Sequence, residues 1–213
     1  MNKHSLFFLL IILCVIAIAC RSSGKDLIEF NYRDNYLWNG DEAFERIYFV
    51  TQIEIGEAFG FGDDGIEKSE MCEIIGENRN EWIYVRFIKP FMSGNGLLYK
   101  SVNIPDFGVD TFGVTTIEIQ EFGIFHRNTT SRISDRSVIA KTIDVLTNSG
   151  DIPMPKGIIE SKRLILLSSN YPGLMYELSI LQDKLGKRYI TKIEDFSRVF
   201  EIGGFLDQYV NEH

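Results

Sequence analysis

The chain has 213 residues, 45% of them hydrophobic, with 22 Lys plus Arg against 30 Asp plus Glu and a formal charge of −8. That length is enough for one domain or two small ones with a real core, and the apolar content excludes a disordered stalk. The acidic excess repels nucleic acid and anionic lipid surfaces, so no nucleic-acid partner is expected.

The first element is Met1–Cys20. Lys3 supplies a positive charge, Leu6–Ala19 is an apolar run of fourteen residues, and Ala17-Ile18-Ala19 places small residues before Cys20. A membrane-spanning helix needs about 20 apolar residues, so this run, followed by Arg21, Ser22, Ser23, Gly24 and Lys25, fits an export signal better than a permanent span. Ala17-x-Ala19 also satisfies the cleavage rule of an ordinary secretory signal, and an uncleaved anchor is the third alternative. This start resembles bacterial lipoprotein signal peptides. The resemblance implies a signal over 1–19, a diacylglycerol on the thiol of Cys20, a tether over 20–26, and a lipid-anchored place on the extracytoplasmic side of the cell membrane. Two acyl chains make such an anchor durable. Loss of the signal removes Lys3 and no acid, which moves the formal charge from −8 to −9.

Cysteine usage leaves packing to hold the fold. Cys14 leaves with the signal and Cys20 is assigned to lipid, so Cys72 has no internal disulfide partner. A nucleophilic Cys72 would need a nearby histidine, and only His126 and His213 follow the signal. A buried structural thiol is the expected reading.

From Leu27 onward, Phe30, Tyr32, Tyr36 and Trp38 alternate with polar residues, Asn39-Gly40 is a strong turn pair, and Phe44–Val50 is rich in strand formers. An antiparallel pair is expected there. Gly60-Phe61-Gly62-Asp63-Asp64-Gly65 has the glycine spacing of a dinucleotide-binding turn. However, Asp63 and Asp64 would repel a pyrophosphate, and the next strand, Trp82–Ile88, ends at Lys89 rather than at an acid. The spacing of a calcium-binding EF-hand is absent too, so the stretch reads as a solvated turn with no cofactor and no metal. Residues 66–75, with Met71, Ile74 and Ile75 on one side and Gly76 as a stop, predict a short helix. Trp82–Ile88 and Leu97–Val102 predict strands around Ser93-Gly94-Asn95-Gly96. Asn103–Gly113, carrying Pro105 and Gly108, is the candidate boundary between an N-terminal β-rich module (27–105) and a C-terminal α+β module (106–213).

In the second half, Val114–Gln120 alternates as a half-buried strand, Gly123 permits a bend before Ile124 and Phe125, and Asn128-Thr129-Thr130 reads as a loop. Ser134 or Asp135 can cap a helix whose apolar face carries Val138, Ile139, Ile143, Val145 and Leu146 and which ends near Asn148. Arg163–Ser168, Leu174–Gln182 and Lys187–Thr191 predict a strand series with a hairpin turn over Asp183–Gly186. The unbroken apolar Leu164–Leu167 suggests burial on both faces. A last strand, Arg198–Ile202, leads to a short helix carrying Phe205, Leu206, Tyr209 and Val210. The fold class expected is α+β, mainly antiparallel sheet with a few short helices packed on it.

Tyr36-Leu37-Trp38-Asn39-Gly40, Ile55-Gly56-Glu57, Tyr171-Pro172-Gly173-Leu174 and Gly186-Lys187-Arg188-Tyr189 resemble an uncharacterised family of lipoproteins from Gram-positive bacteria. The resemblance implies an envelope location and brings no activity and no catalytic residue. Three functions remain in view. The first, and the expectation, is a non-catalytic module whose sheet or aromatic edge binds an envelope protein or polymer, motivated by the aromatics that outlast the loss of Phe7 and Phe8. The second is an envelope hydrolase using a carboxylate pair, for which Glu54, Glu57, Asp63 and Asp64 are the densest group. The third is a small-ligand carrier, for which the chain is short.

Overall fold

The computed structural model describes residues 27–33, 36–48, 50–63, 68–88, 96–105, 108–121, 128–192 and 198–211. The signal, the tether with Cys20, Asp64, Ser93 to Asn95, Ile124, Phe125, His126 and His213 lie outside the described residues.

Seven strands close a barrel. In order around the wall they are β1 (Ile28–Arg33), β2 (Tyr36–Asn39), β3 (Glu42–Ile47), β8 (Leu97–Ser101), β7 (Trp82–Phe87), β6 (Lys68–Ile74) and β5 (Ile55–Asp63). A ring with an odd number of strands cannot alternate direction all the way round. The single parallel pair is the seam, where Ile28 of β1 stands opposite Gly60 of β5 and Phe30 opposite Gly62. The hairpin expected at Asn39-Gly40 joins β2 to β3. Asn39 pairs with Glu42, so the loop residues are Gly40 and Asp41, and Gly40 takes a φ of 59° that glycine enters without a Cβ penalty.

Phe30, Leu37, Phe44, Met71, Ile83, Val85 and Tyr99 pack inside the barrel, with Phe30 edge-on to Phe44 at 6.2 Å and to Phe59 at 6.0 Å. This packing explains the glycine pattern that resembled a dinucleotide turn. Gly60 and Gly62 lie in strand β5, which corrects the expected solvated turn. A Cβ on Gly60 would sit 2.7 Å from Cε2 of Phe30 and 2.8 Å from the Ile28 carbonyl oxygen, and one on Gly62 would sit 2.8 Å from Cε of Met71. Glycine is there because the seam brings an aromatic ring against bare backbone.

The helix expected over 66–75 is also corrected, because these residues form strand β6 from Lys68 onward. Met71 packs inside the barrel, whereas Cys72 and Ile74 belong to the cluster outside it. A strand buried on both faces loses its polar alternation, and its apolar residues then mimic helical spacing.

A second, antiparallel sheet runs in the order β10 (Asn128–Ile133), β9 (Val114–Glu121), β11 (Ile158–Ser168), β12 (Leu174–Asp183), β13 (Arg188–Lys192), β14 (Val199–Glu201). The predicted strand series and its turn are those of β11, β12 and β13. Asn128-Thr129-Thr130, expected as loop, instead opens β10, whose register shifts between Thr129 and Ser131. Strand β4 (Val50–Gln52) leaves the barrel wall between β3 and β5 and pairs with Leu174–Tyr176 of β12. It thereby occupies the part of that edge which β13, pairing from Leu178 onward, leaves open.

Helix α1 (Arg136–Asn148) begins at Asp135, whose Oδ1 accepts from the backbone N–H of Ser137 at 2.8 Å and of Val138 at 3.4 Å. These bonds, led by one from the Ser137 hydroxyl, hold the Asp135 carboxyl below its ordinary range. Ile139 and Thr142 are buried, and Val138, Ile143, Val145 and Leu146 pack on the sheet. The last described elements are a 3₁₀ turn (Gly203–Leu206) and a single helical turn, α2 (Asp207–Val210). With one full helix and two short terminal turns, the described fold is mainly β rather than α+β, while the expected antiparallel sheet with few short helices fits in part.

The two layers share a core. Cys72, Ile74, Trp82, Tyr84 and Leu98 on the outer wall of β6, β7 and β8 pack with Val50 against Phe112, Ile117, Leu164, Leu166, Leu174 and Tyr176. Phe112 stacks on Tyr171 at 5.8 Å, and Tyr171 takes Trp82 edge-on at 5.8 Å. In β7 Ile83 and Val85 point into the barrel while Trp82 and Tyr84 point out, so the Trp-Ile-Tyr-Val run is apolar throughout because both faces are covered. Each such side chain contributes about 1.5–3 kcal/mol of burial.

Polar groups fasten the end of the chain to the sheet. The carbonyl oxygens of Tyr209 and Val210 accept from the Ser131 hydroxyl at 2.7 Å and the Lys162 ammonium at 2.8 Å. Lys162 also pairs with Glu121 at 3.0 Å, and Arg188 bonds Gln182, Asp207 and Asn211. Cations at the carbonyl end of a helical turn meet its negative pole.

Candidate functional site

Among the described residues, those singled out from sequence do not come together in one cavity. Cys72 is fully buried in the shared core, and burial pushes its thiol up, the state of an inert structural cysteine. Glu54, Glu57 and Asp63 are exposed at and along β5, and none of them lines a cavity described below. Another acid, Glu77, is half-buried. Its Oε1 accepts from the Gly173 N–H at 2.8 Å, and burial raises its carboxyl. Gly76, at a φ of 95°, turns against Gly173 there, and a Cβ on Gly173 would sit 2.4 Å from the Ile75 carbonyl oxygen. The Tyr171-Pro172-Gly173-Leu174 motif is thus a joint between barrel and sheet, with Glu77 as its pin.

A cavity of about 190 Å³ opens elsewhere, where four elements meet. The turn Gly108–Asp110 forms one wall, held by the N–H groups of Thr111 and Phe112 donating to the Gly108 carbonyl at 3.2 and 3.0 Å. The last turn of α1 contributes Leu146 and Thr147, β12 contributes Tyr176 and Leu178, and the β14 edge contributes Arg198 and Phe200. Val109, Tyr176, Leu178 and Phe200 are buried and make an apolar floor, whereas Asp110 and Arg198 are exposed and bring opposite charges to the rim.

Both charges act on the Tyr176 hydroxyl. Burial pushes that phenol up to about 12, Asp110 adds to the rise, and Arg198 opposes it. The Arg198 guanidinium lies 5.6 Å from the centre of the Phe200 ring, and its Nε stands 3.8 Å from Oδ2 of Asp151. Thr147 gives its hydroxyl hydrogen to the Ile143 carbonyl at 2.8 Å.

Set against protein-family models, curated proteins and solved structures, the chain matches none.

The chemistry of the site is therefore read from its own groups. A phenol near 12 stays neutral and offers a hydrogen-bond donor at physiological pH, and is too weak an acid for proton transfer there. Thr147 and Tyr176 supply the hydroxyls of the lining, and that of Thr147 is committed to the Ile143 carbonyl. Among the described residues, no group of three or more His, Cys, Asp and Glu could hold a metal ion. Sequence reading placed Asp110 in a boundary stretch, Tyr176 inside a strand and Arg198 at a strand start. No local signal links them, because only the folded sheet brings a glycine-rich turn, a helix end and an edge strand to one place.

Proposed function

We propose that this chain is an extracytoplasmic lipoprotein, held on the cell membrane through a diacylated Cys20, that works as a non-catalytic binding module of the envelope. The observation that carries the reading is the apolar run Leu6–Ala19 closing on Cys20, a few residues ahead of the first barrel strand. An extended tether over Arg21–Asp26 spans roughly 20 Å, so the barrel would sit close to the lipid. Two features of the folded part support binding over catalysis. The half-buried acid Glu77 is bonded to backbone at a structural joint, and the cavity offers opposite fixed charges over an apolar floor, without an acid–base pair tuned to neutrality.

The test is intact-mass spectrometry of the protein from its native cells, with Cys20→Ala alongside. The expected species begins at Cys20 and carries diacylglycerol, and the variant is absent from the lipid-bound fraction. Residues 1–19 still present, or a start at Cys20 without added lipid mass, would overturn the anchor. Cross-linking of envelopes followed by capture of the anchored protein tests the binding role. Specific partners that depend on the anchor are the expected outcome.

A further inference from the structure

We propose that the cavity between the Gly108–Asp110 turn, α1 and β14 binds a small zwitterion with an apolar side chain, of the free α-amino-acid class, its carboxylate on Arg198, its ammonium on Asp110 and its side chain on the Val109–Leu178–Phe200 floor. This deepens the binding-module reading and rests on it.

Size, charge and preorganisation argue for this class. A cavity of about 190 Å³ is below the usual range for drug-sized ligands of roughly 300–1,000 Å³, which directs attention to ligands the size of one amino acid rather than to a polymer or a nucleotide. Its floor is buried and apolar, so a hydrophobic group gains by displacing water there. The two rim charges are opposite, they line the same cavity as Tyr176, and each acts on its hydroxyl. Among the described residues Asp110 makes no ion pair, and Arg198 has only the loose 3.8 Å approach to Asp151. Arg198 is steadied over the Phe200 ring at the cavity rim, where its planar guanidinium is a suitable partner for a carboxylate. Glycine at 108 leaves room for the other charge, because a Cβ there would lie 2.5 Å from Oδ1 of Asp110. A ligand carrying one positive and one negative group matches this pair, whereas an anion or a cation alone meets one partner and one repulsion.

The experiment is calorimetric titration of the mature lipidated protein in detergent with L-leucine and L-phenylalanine, then with leucine methyl ester and N-acetyl-leucine. One-to-one binding is expected, weakened at least about tenfold by Arg198→Gln and by Asp110→Asn. Leucine methyl ester, which lacks the carboxylate, should lose no affinity on Arg198→Gln and gain where the repulsion is relieved, and N-acetyl-leucine, which lacks the ammonium, should behave likewise on Asp110→Asn. Both altered residues are exposed, and unchanged melting curves will show that the fold is intact. No heat of binding with any of these probes at about 10 mM, or binding that neither substitution changes, overturns the proposal. Envelope partners captured equally by wild type and Arg198→Gln, with no amino acid bound, would remove the pocket assignment and leave the binding module standing.

Discussion

The ammonium of Lys162 donates to the carbonyl oxygen of Val210 at 2.8 Å, joining the middle of the sheet to the last helical turn of the described chain. Lys162 is buried, so its charge is held by that carbonyl and by Glu121 and Glu160 at 3.0 and 3.5 Å. Lys162→Met keeps the stem and removes the donor. A buried carbonyl then loses its partner, at a cost of about 1–3 kcal/mol. The urea midpoint should fall and α2 should lose protection in hydrogen exchange before the barrel does. An unchanged midpoint would show that the tie contributes nothing.

Gly60→Ala and Gly62→Ala separate two kinds of crowding at the barrel seam. At Gly60 the added methyl meets the Ile28 carbonyl oxygen and the Phe30 ring, neither of which can withdraw far, whereas at Gly62 its nearest neighbour is the flexible end of Met71. Gly60→Ala should lose about 2–3 kcal/mol and Gly62→Ala clearly less. Equal losses in chemical denaturation would contradict the seam geometry.

Glu77 sets a pH dependence with a defined sign. Its carboxyl is raised by burial above the ordinary 4.5, so the folded chain holds that proton more tightly than the unfolded one. The stability it lends is complete below 4.5 and is lost as pH rises through the raised folded value. Glu77→Gln cannot titrate and keeps an oxygen for the Gly173 N–H. The stability of the variant relative to wild type should therefore improve from acid to neutral pH. A difference that stays constant across that range would refute the assignment.

The phenol of Tyr176 offers a direct reading of the cavity charges. In an alkaline absorbance titration Tyr176→Phe should remove one late phenol near 12. Asp110→Asn should bring that titration down and Arg198→Gln should push it further up, since Asp110 raises and Arg198 lowers it. Burial makes this phenol favour the folded state while neutral, so its contribution disappears as pH climbs through about 12. Movement in the same direction for both variants would mean that the two charges do not act on the hydroxyl in opposite senses.

Local chemistry made some of this architecture readable from the sequence. Asn39-Gly40 marked a hairpin, Ser134 or Asp135 marked a helix start, and the apolar run Leu164–Leu167 marked a strand of the second sheet. Long-range contacts hid the rest. Strand β6 looked helical because Met71 serves the barrel interior while Cys72 and Ile74 serve the other core. Gly60 and Gly62 looked like a phosphate loop because the ring they accommodate, Phe30, lies on a strand paired only at closure. The cavity left no trace, since Asp110, Tyr176 and Arg198 are ordinary residues in their own segments.

The short strand Val50–Gln52 has a consequence for how the molecule is made. A nascent chain that has delivered only the barrel strands holds these three residues without their strand partner β12, beside an uncovered aromatic wall at Trp82 and Tyr84. Until β12 arrives, that intermediate is a target for chaperones and proteases, and its survival depends on prompt synthesis of the remaining half. Chains cut short before Leu174 should accordingly be degraded rather than accumulate as a finished barrel.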